Sequence, residues 1–322
     1  MIRAIALTGP TASGKTGLSI KLAADLSAEI ISCDSMQIYR GMDIGTAKAT
    51  DDERAAVPHH MLDLISPSED FSVESYREGA LAVAKEIVAR GKLPLFVGGT
   101  GLYVDAARRA PLSDVPESSR EYRDKLLAGI KSEGDIEELW QRLAAVDPES
   151  AAAIHKNNVR RVIRALEIYD KTGKTKSYFD KLSKEKNADF DMKIITLDFH
   201  ERESLYKKID TRVDLMMEEG LLDEVRELYL GGTLKHGTTA AQAIGYKEII
   251  KYLDGESSLL DAVELIKLSS RRYAKRQLTW FRHEEDAYRI YLDREDGTAR
   301  EPEDVYSELI CITKEILRNF QV

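Results

Sequence analysis

The chain has 322 residues, 43% hydrophobic and 32% charged, with a formal net charge of −9. This composition excludes a disordered chain and fits one large globular domain or a domain with an insertion. Cys33 and Cys311 are the only cysteines, which excludes a disulfide framework and a four-thiolate zinc site; each is expected to be a small buried hydrophobe.

The first apolar run, Ile2 to Leu7, reads as a strand and is too short for a membrane span. It also lacks the small-residue cleavage pattern of a secretory leader, so a cytoplasmic protein is expected. Directly after it come Gly9, Pro10, Thr11, Ala12, Ser13, Gly14, Lys15 and Thr16, then Leu18, Leu22 and Leu26 at helical spacing. Strand, glycine loop and helix start together form a phosphate cradle: backbone N–H groups turn into one hollow, Lys15 adds a mobile charge, and the Thr16 hydroxyl suits a magnesium ion. The loop alone does not select among phosphate compounds.

A second strand is expected over Glu29 to Cys33, ending at Asp34, with Ser35, Met36 and Gln37 following. In an open α/β sheet that end borders the ligand crevice, so Asp34 is a candidate to accept a proton or hold a metal, against the plainer role of a turn cap. An amphipathic helix over Val73 to Arg90 leads to a third strand, Leu93 to Val97, and a second glycine turn, Gly98, Gly99, Thr100, Gly101, Leu102 and Tyr103. That turn reads equally as chain reversal or as a binding element.

From Pro111 to about Asp191 strand patterns give way to helical stretches over Glu117 to Lys131, Ile136 to Val146 and Val159 to Tyr169. A helix start is expected at Asp147-Pro148 and a stop at Gly173. Strands return at Met192 to Phe199 and Ala287 to Leu292, with helices over Glu201 to Leu230, Ser258 to Trp280 and Val305 to Arg318, the last with Val305, Leu309, Ile312 and Ile316 on one stripe. The expected class is α/β, a parallel sheet flanked by helices. Residues 1–110 and 191–322 form the core domain in this reading, and 111–190 form a helical insertion domain.

Charge is segregated. Between His155 and Lys186 ten basic residues face four acidic ones, and between Arg271 and Arg282 five face none, while the remainder is strongly acidic. Such segregation lets one face attract a polyanion, against the plainer reading of solvated helix faces. Arg160, Arg161, Val162, Ile163 and Arg164 lie in the first segment. Lys275, Arg276, Gln277, Leu278, Thr279, Trp280, Phe281 and Arg282 lie in the second, where rings suit either base stacking or the core. Gln242, Ala243, Ile244, Gly245, Tyr246 and Lys247 have a similar mixture. His59 and His60 are adjacent and make a poor chelating pair, so no zinc site is expected.

Taken together, Gly9 to Thr16, Ile31 to Tyr39, Gly41 to Lys48, Val97 to Tyr103 and Lys275 to Arg282 resemble the bacterial tRNA dimethylallyltransferases, also called tRNA isopentenyltransferases, in order and over nearly the whole chain. The resemblance implies a P-loop NTPase-like fold and transfer of a dimethylallyl group from dimethylallyl diphosphate to N6 of the adenosine 3′ of the anticodon. It implies that residues 9–16, with Mg2+ on Thr16, hold the diphosphate in place of ATP, and that Arg212 assists. It implies Asp34 as general base, Thr100 near the reacting base, and tRNA contacts from residues 34–37, 100, 160–164, 242–247 and 275–282, with the insertion gripping the anticodon stem-loop. Eukaryotic relatives carry a C-terminal zinc finger; this chain shows no paired Cys and His there, which implies the bacterial form. A monomer is the default expectation. An adenylate isopentenyltransferase, a P-loop small-molecule kinase and a non-catalytic RNA-binding module remain the rivals.

Overall fold

The computed structural model describes residues 1–108, 115–116, 118–185 and 189–320. It falls into two compact units, Met1–Arg108 with Asp189–Val322, and Arg109–Ala188. The boundary expected between residues 110 and 111 lies outside the described residues. The one expected between 190 and 191 falls inside a strand.

In the larger unit the strands β1 (Ile2–Thr8), β2 (Ala28–Ser32), β3 (His59–His60), β4 (Leu93–Gly98), β5 (Phe190–Asp198) and β6 (Tyr288–Tyr291) form one sheet in the order β3-β2-β4-β1-β5-β6. Every pairing is parallel. β5 starts at Phe190 because Ile2 of β1 needs a partner there. The period-two alternation of β1 divides two cores. Ile5 and Leu7 pack with Leu22, Ile195, Leu197 and Leu278 on one face, while Ala4 and Ala6 pack with Tyr76, Phe96, Tyr103 and Phe281 on the other. Both faces are covered, which is why the strands read as continuous apolar runs.

β3 was not expected. It forms at the sheet edge, where His60 Nε2 meets Glu29 Oε2 at 2.7 Å and the Glu29 carboxylate, 3% exposed, also pairs with Arg90 and Lys92. His59 turns the other way, its Nδ1 2.7 Å from the Val57 carbonyl oxygen. The Arg90 pairing, helped by His60 and Lys92, outweighs burial and holds the Glu29 carboxyl at about 2.

The expected helices appear over Lys15–Leu26, Val73–Ala89, Arg202–Glu218, Leu221–Leu230, Leu259–Arg282 and Pro302–Asn319. Gly220, at φ +103°, divides the tract expected as one from Glu201 to Leu230. A short helix over Tyr246–Leu253 was missed. Four of these helices and the loop after β2 enclose a third core, with Ile38, Met42, Val213, Met216, Leu221, Tyr246 and Ile266 in it.

Cys33 is buried as expected, its Sγ 3.0 Å from the Tyr76 hydroxyl. Cys311 corrects the expectation: it is exposed, because the last helix buries Val305, Leu309, Thr313 and Ile316, and residue 311 falls off that stripe.

The smaller unit is helical: Arg120–Gly129, Glu133–Val146, Pro148–Ala153, Val159–Thr172 and Lys176–Glu185. Glu117, the expected start of its first helix, lies outside the described residues. Asp147 caps the third helix by accepting from Ser150 N–H at 3.1 Å, with Pro148 in its first turn, and Gly173 at φ +69° ends the fourth. Leu143, Ala151, Ile154, Val162, Ala165 and Leu166 form its core. The last helix was missed because Lys176 to Lys184 offers few apolar residues; Phe179, 2% exposed, anchors it.

Candidate active site

The larger unit carries a cavity of about 420 Å³ at the carboxyl ends of β1, β2 and β4. Its floor is the loop after β1. Gly9, at φ +150°, has no room for a side chain: a Cβ would stand 2.9 Å from the Leu197 carbonyl oxygen. Gly14, at φ +74°, has open space around it and is needed for its left-handed backbone alone. The helix Lys15–Leu26 begins there without a side-chain cap and without an acid in its first turn, so its leading N–H groups and positive end are left to the cavity.

Two cations stand over this floor. Lys15 Nζ donates to the carbonyls of Gly9 (2.9 Å) and Pro10 (2.6 Å) and to Ser13 Oγ (3.3 Å). Burial, aided by Arg212 and opposed by Asp34, pulls its ammonium down to about 7. Arg212, from the helix Arg202–Glu218, donates Nη1 to Thr11 Oγ1 at 3.0 Å. Burial lowers its pKa too, against the pull of Asp34.

Asp34 follows β2 and lines the same cavity. Its Oδ1 accepts from the Met36 N–H at 2.8 Å, so the turn-cap reading holds for one oxygen. Burial raises its pKa, with the Met36 N–H, Lys15 and Arg212 opposing. The lining reaches Gly98 and Gly99 but not Thr100. Thr100 instead braces the Asp34 strand end: its N–H donates to Cys33 O at 3.1 Å and its Oγ1 accepts from Ser35 N–H at 3.2 Å.

One wall is apolar, from Ile209, Val213, Met216, Leu221, Ala243, Ile244 and Ile266, with Tyr273 beside it, while Ser270, Arg276 and Gln277 add polar groups to the lining. Burial, reinforced by Asp34, pushes the Tyr273 phenol up to about 12. Sequence reading named Ala243 and Ile244, as tRNA contacts, and missed the others. The helical spacing of Ile209, Val213 and Met216 was the available signal, and it points equally to an ordinary core.

Within the segments expected to touch tRNA, helical periodicity turns some side chains away. In the smaller unit Arg160 and Arg161 are exposed, Val162 and Ile163 are buried, and Arg164 is tied to Glu167 and the Pro116 carbonyl. In the larger unit Lys275, Arg276 and Thr279 are exposed, whereas Gln277, Leu278 and Phe281 are buried and Trp280 packs against Gly101. Arg282 is exposed but forms a two-pronged pair with Asp198, at 2.7 and 2.9 Å. Gln242 is exposed, Lys247 and Ile244 are partly buried, and Ala243, Gly245 and Tyr246 are buried. Ser35 and Met36 line the cavity. The Gln37 amide is occupied by the protein, donating to Thr46 O and Ala47 O and accepting from Ser32 Oγ. The loop that follows hangs on Glu224, whose carboxylate accepts the N–H groups of Asp43, Ile44 and Gly45 and the Tyr246 hydroxyl.

Among the described residues no group of three or more His, Cys, Asp or Glu could hold a metal ion, and no helix is long and apolar enough to cross a membrane.

The IPP transferase family model matches residues 37–284, and an isopentenyl transferase model matches residues 2–63. The chain is 47% identical over 282 residues to the tRNA dimethylallyltransferase of Caldanaerobacter subterraneus, covering 87% of this chain and 89% of that one. It is 52% identical over 281 residues to the tRNA dimethylallyltransferase of Geobacillus thermodenitrificans, covering 87% of each. Among solved structures, a full-length tRNA isopentenylpyrophosphate transferase from Bacillus halodurans matches with a TM-score of 0.71 and 42% identity, over 99% of this chain and 98% of that one. A eukaryotic dimethylallyltransferase acting on tRNA matches with a TM-score of 0.82 and 30% identity, over 99% of this chain and 80% of that one. The chain belongs to the IPP transferase family.

Proposed function

We propose that the chain transfers a dimethylallyl group from dimethylallyl diphosphate to N6 of the adenosine 3′-adjacent to the anticodon in tRNA, releasing diphosphate. The observation that carries this reading is one cavity holding Lys15, Arg212, Asp34 and an apolar wall. An ATP-dependent kinase would have little use for the wall, and a plain binding module little use for a buried carboxylate of raised proton affinity.

The leaving diphosphate accumulates negative charge as the allylic C–O bond breaks, and the helix N-terminus, Lys15 and Arg212 stand ready to balance it. Lys15 now spends its protons on loop carbonyls, and a diphosphate offers stronger acceptors. Asp34 takes the proton that the adenine amino group must lose, since that nitrogen's lone pair is delocalised into the ring. Burial raises its proton affinity above that of a surface carboxylate, which makes it the stronger base. The adenosine reaches it by leaving its stack. Magnesium fits a lone Thr16 hydroxyl beside a diphosphate, since it prefers phosphate oxygens and water to an all-protein cage; when bound it would add positive charge at the leaving group.

On the tRNA side we assign the anticodon arm to the insertion, through the exposed Arg160 and Arg161, and to the exposed Lys275, Arg276 and Thr279 of the core domain. We further assign a cytoplasmic, monomeric enzyme.

The test is a filter assay with labelled dimethylallyl diphosphate, offering tRNA or AMP as acceptor, and labelled ATP with a kinase acceptor in parallel. Label is expected in tRNA; label in AMP alone, or phosphate transfer from ATP, would end this reading.

A further inference from the structure

The side chain of Gln277 does something unlike its neighbours in the basic segment. It is 5% exposed and turned inward, where it borders the cavity. Its Oε1 accepts from the Thr11 N–H at 2.9 Å, and its Nε2 donates to the Gly99 carbonyl at 2.9 Å. Thr11 belongs to the diphosphate loop after β1, and Gly99 to the turn after β4 that braces Asp34 through Thr100. One carboxamide therefore ties the leaving-group side of the cavity to the acceptor side.

The orientation of the amide is not ambiguous, because a backbone N–H can only donate and a carbonyl can only accept. No other side chain of this length supplies one acceptor and one donor in that order. A glutamate keeps the bond to Thr11 and sets a carboxylate against the Gly99 carbonyl; a methionine fills the space and makes neither bond. The approach is so close that a Cβ on Gly99 would lie 2.1 Å from Nε2, which gives Gly99 its reason to be glycine at an ordinary φ.

We propose that Gln277 is a positioning residue that sets the separation between the diphosphate loop and the turn supporting Asp34, and hence between leaving group and base. It lines the cavity, but both polar atoms of its amide are held by the protein. The proposal deepens the prenyl-transfer reading, and only its kinetic arm rests on that reading.

The test uses full-length Gln277→Met, Gln277→Glu and Gly99→Ala. By amide hydrogen exchange, Gln277→Met should accelerate exchange about tenfold or more in peptides covering both Gly9–Gly14 and Gly98–Thr100, with the rest of the sheet unchanged. Gln277→Glu should accelerate only the second peptide, a pattern that general destabilisation cannot produce. In prenyl transfer, Gln277→Met and Gly99→Ala should lose roughly 10- to 100-fold in kcat while KM for prenyl diphosphate and for tRNA stays within about threefold, the signature of misplacement. Unchanged exchange in both loops, or a raised KM with wild-type kcat, would overturn the role. If Gln277→Met does not fold, the one-sided pattern of Gln277→Glu decides alone. A wild-type protein that prenylates no tRNA would sink the parent reading, and the exchange arm would still decide this one.

Discussion

Two turns in this molecule are written almost alike in sequence, each a strand, a run of glycines and a helix start, and the structure uses them in opposite ways. After β1 the glycines serve conformation and clearance: Gly14 sits at φ +74° with nothing within 4 Å, and the hollow beside it is left to a ligand. After β4 no glycine has a positive φ, and the space is filled by protein: Gln277 against Gly99, Trp280 against Gly101 and the Cys33 backbone against Gly98. A glycine motif therefore does not by itself mark a binding loop. What separates the two is whether a distant helix has come to occupy the gap.

The largest effect expected concerns the carboxylate that the second turn supports and the first turn's lysine faces. Asp34→Ala should lower kcat by ~10²- to 10⁴-fold, with tRNA affinity changing less. Wild-type turnover in single-turnover assays would leave both turns as plain scaffolding.

The next effect separates the turns directly, by thermal denaturation. Gly101→Ala places a methyl 2.4 Å from the Trp280 ring and should cost about 1–3 kcal/mol by overpacking. Gly14→Ala meets no atom and should cost about 1–2 kcal/mol through its left-handed backbone, with Gly14→Asn recovering part of the loss. Equal rescue by Asn at both positions would erase the distinction.

A smaller effect reads the open turn's charge. With Lys15 held at about 7, binding of sulfate, an anion that does not itself titrate in this range, should take up most of one proton at pH 8 and little at pH 6, because the bound anion restores the ammonium that burial had weakened. Calorimetry in buffers of different ionisation enthalpy measures this, and release of protons at pH 8 would contradict it. The smallest effect belongs to the other unit: Arg161→Ala should flatten the slope of log tRNA affinity against log salt by about 1 without altering prenyl diphosphate binding.

The five longer strands were legible because parallel strands covered on both faces must be continuously apolar. β3 was not, since two histidines form it only where Glu29 and the sheet edge supply partners. The helix Tyr246–Leu253 escaped because its buried residues, Tyr246, Ile249 and Ile250, contribute to a core assembled from distant segments. The phosphate loop announced itself, since its chemistry is local. The apolar wall did not, because Val213 with Met216, Leu221 and Ile266 come from three different helices and meet only after folding. The inward turn of Gln277 and Leu278 was likewise hidden inside a run that reads as basic, whereas the core alternative weighed for Phe281 is the one the structure takes.

Cys33 immediately precedes the proposed base, yet burial drives its thiol up to about 12, with no exposed surface. Thiolate is the species that alkylating reagents and oxidants attack, so this sulfur stays inert beside the Asp34 carboxylate. Iodoacetamide or a maleimide dye should instead modify the single exposed cysteine, Cys311, on the terminal helix. The native chain thus comes with one accessible point of fluorophore attachment, on a helix that contributes no residue to the cavity lining.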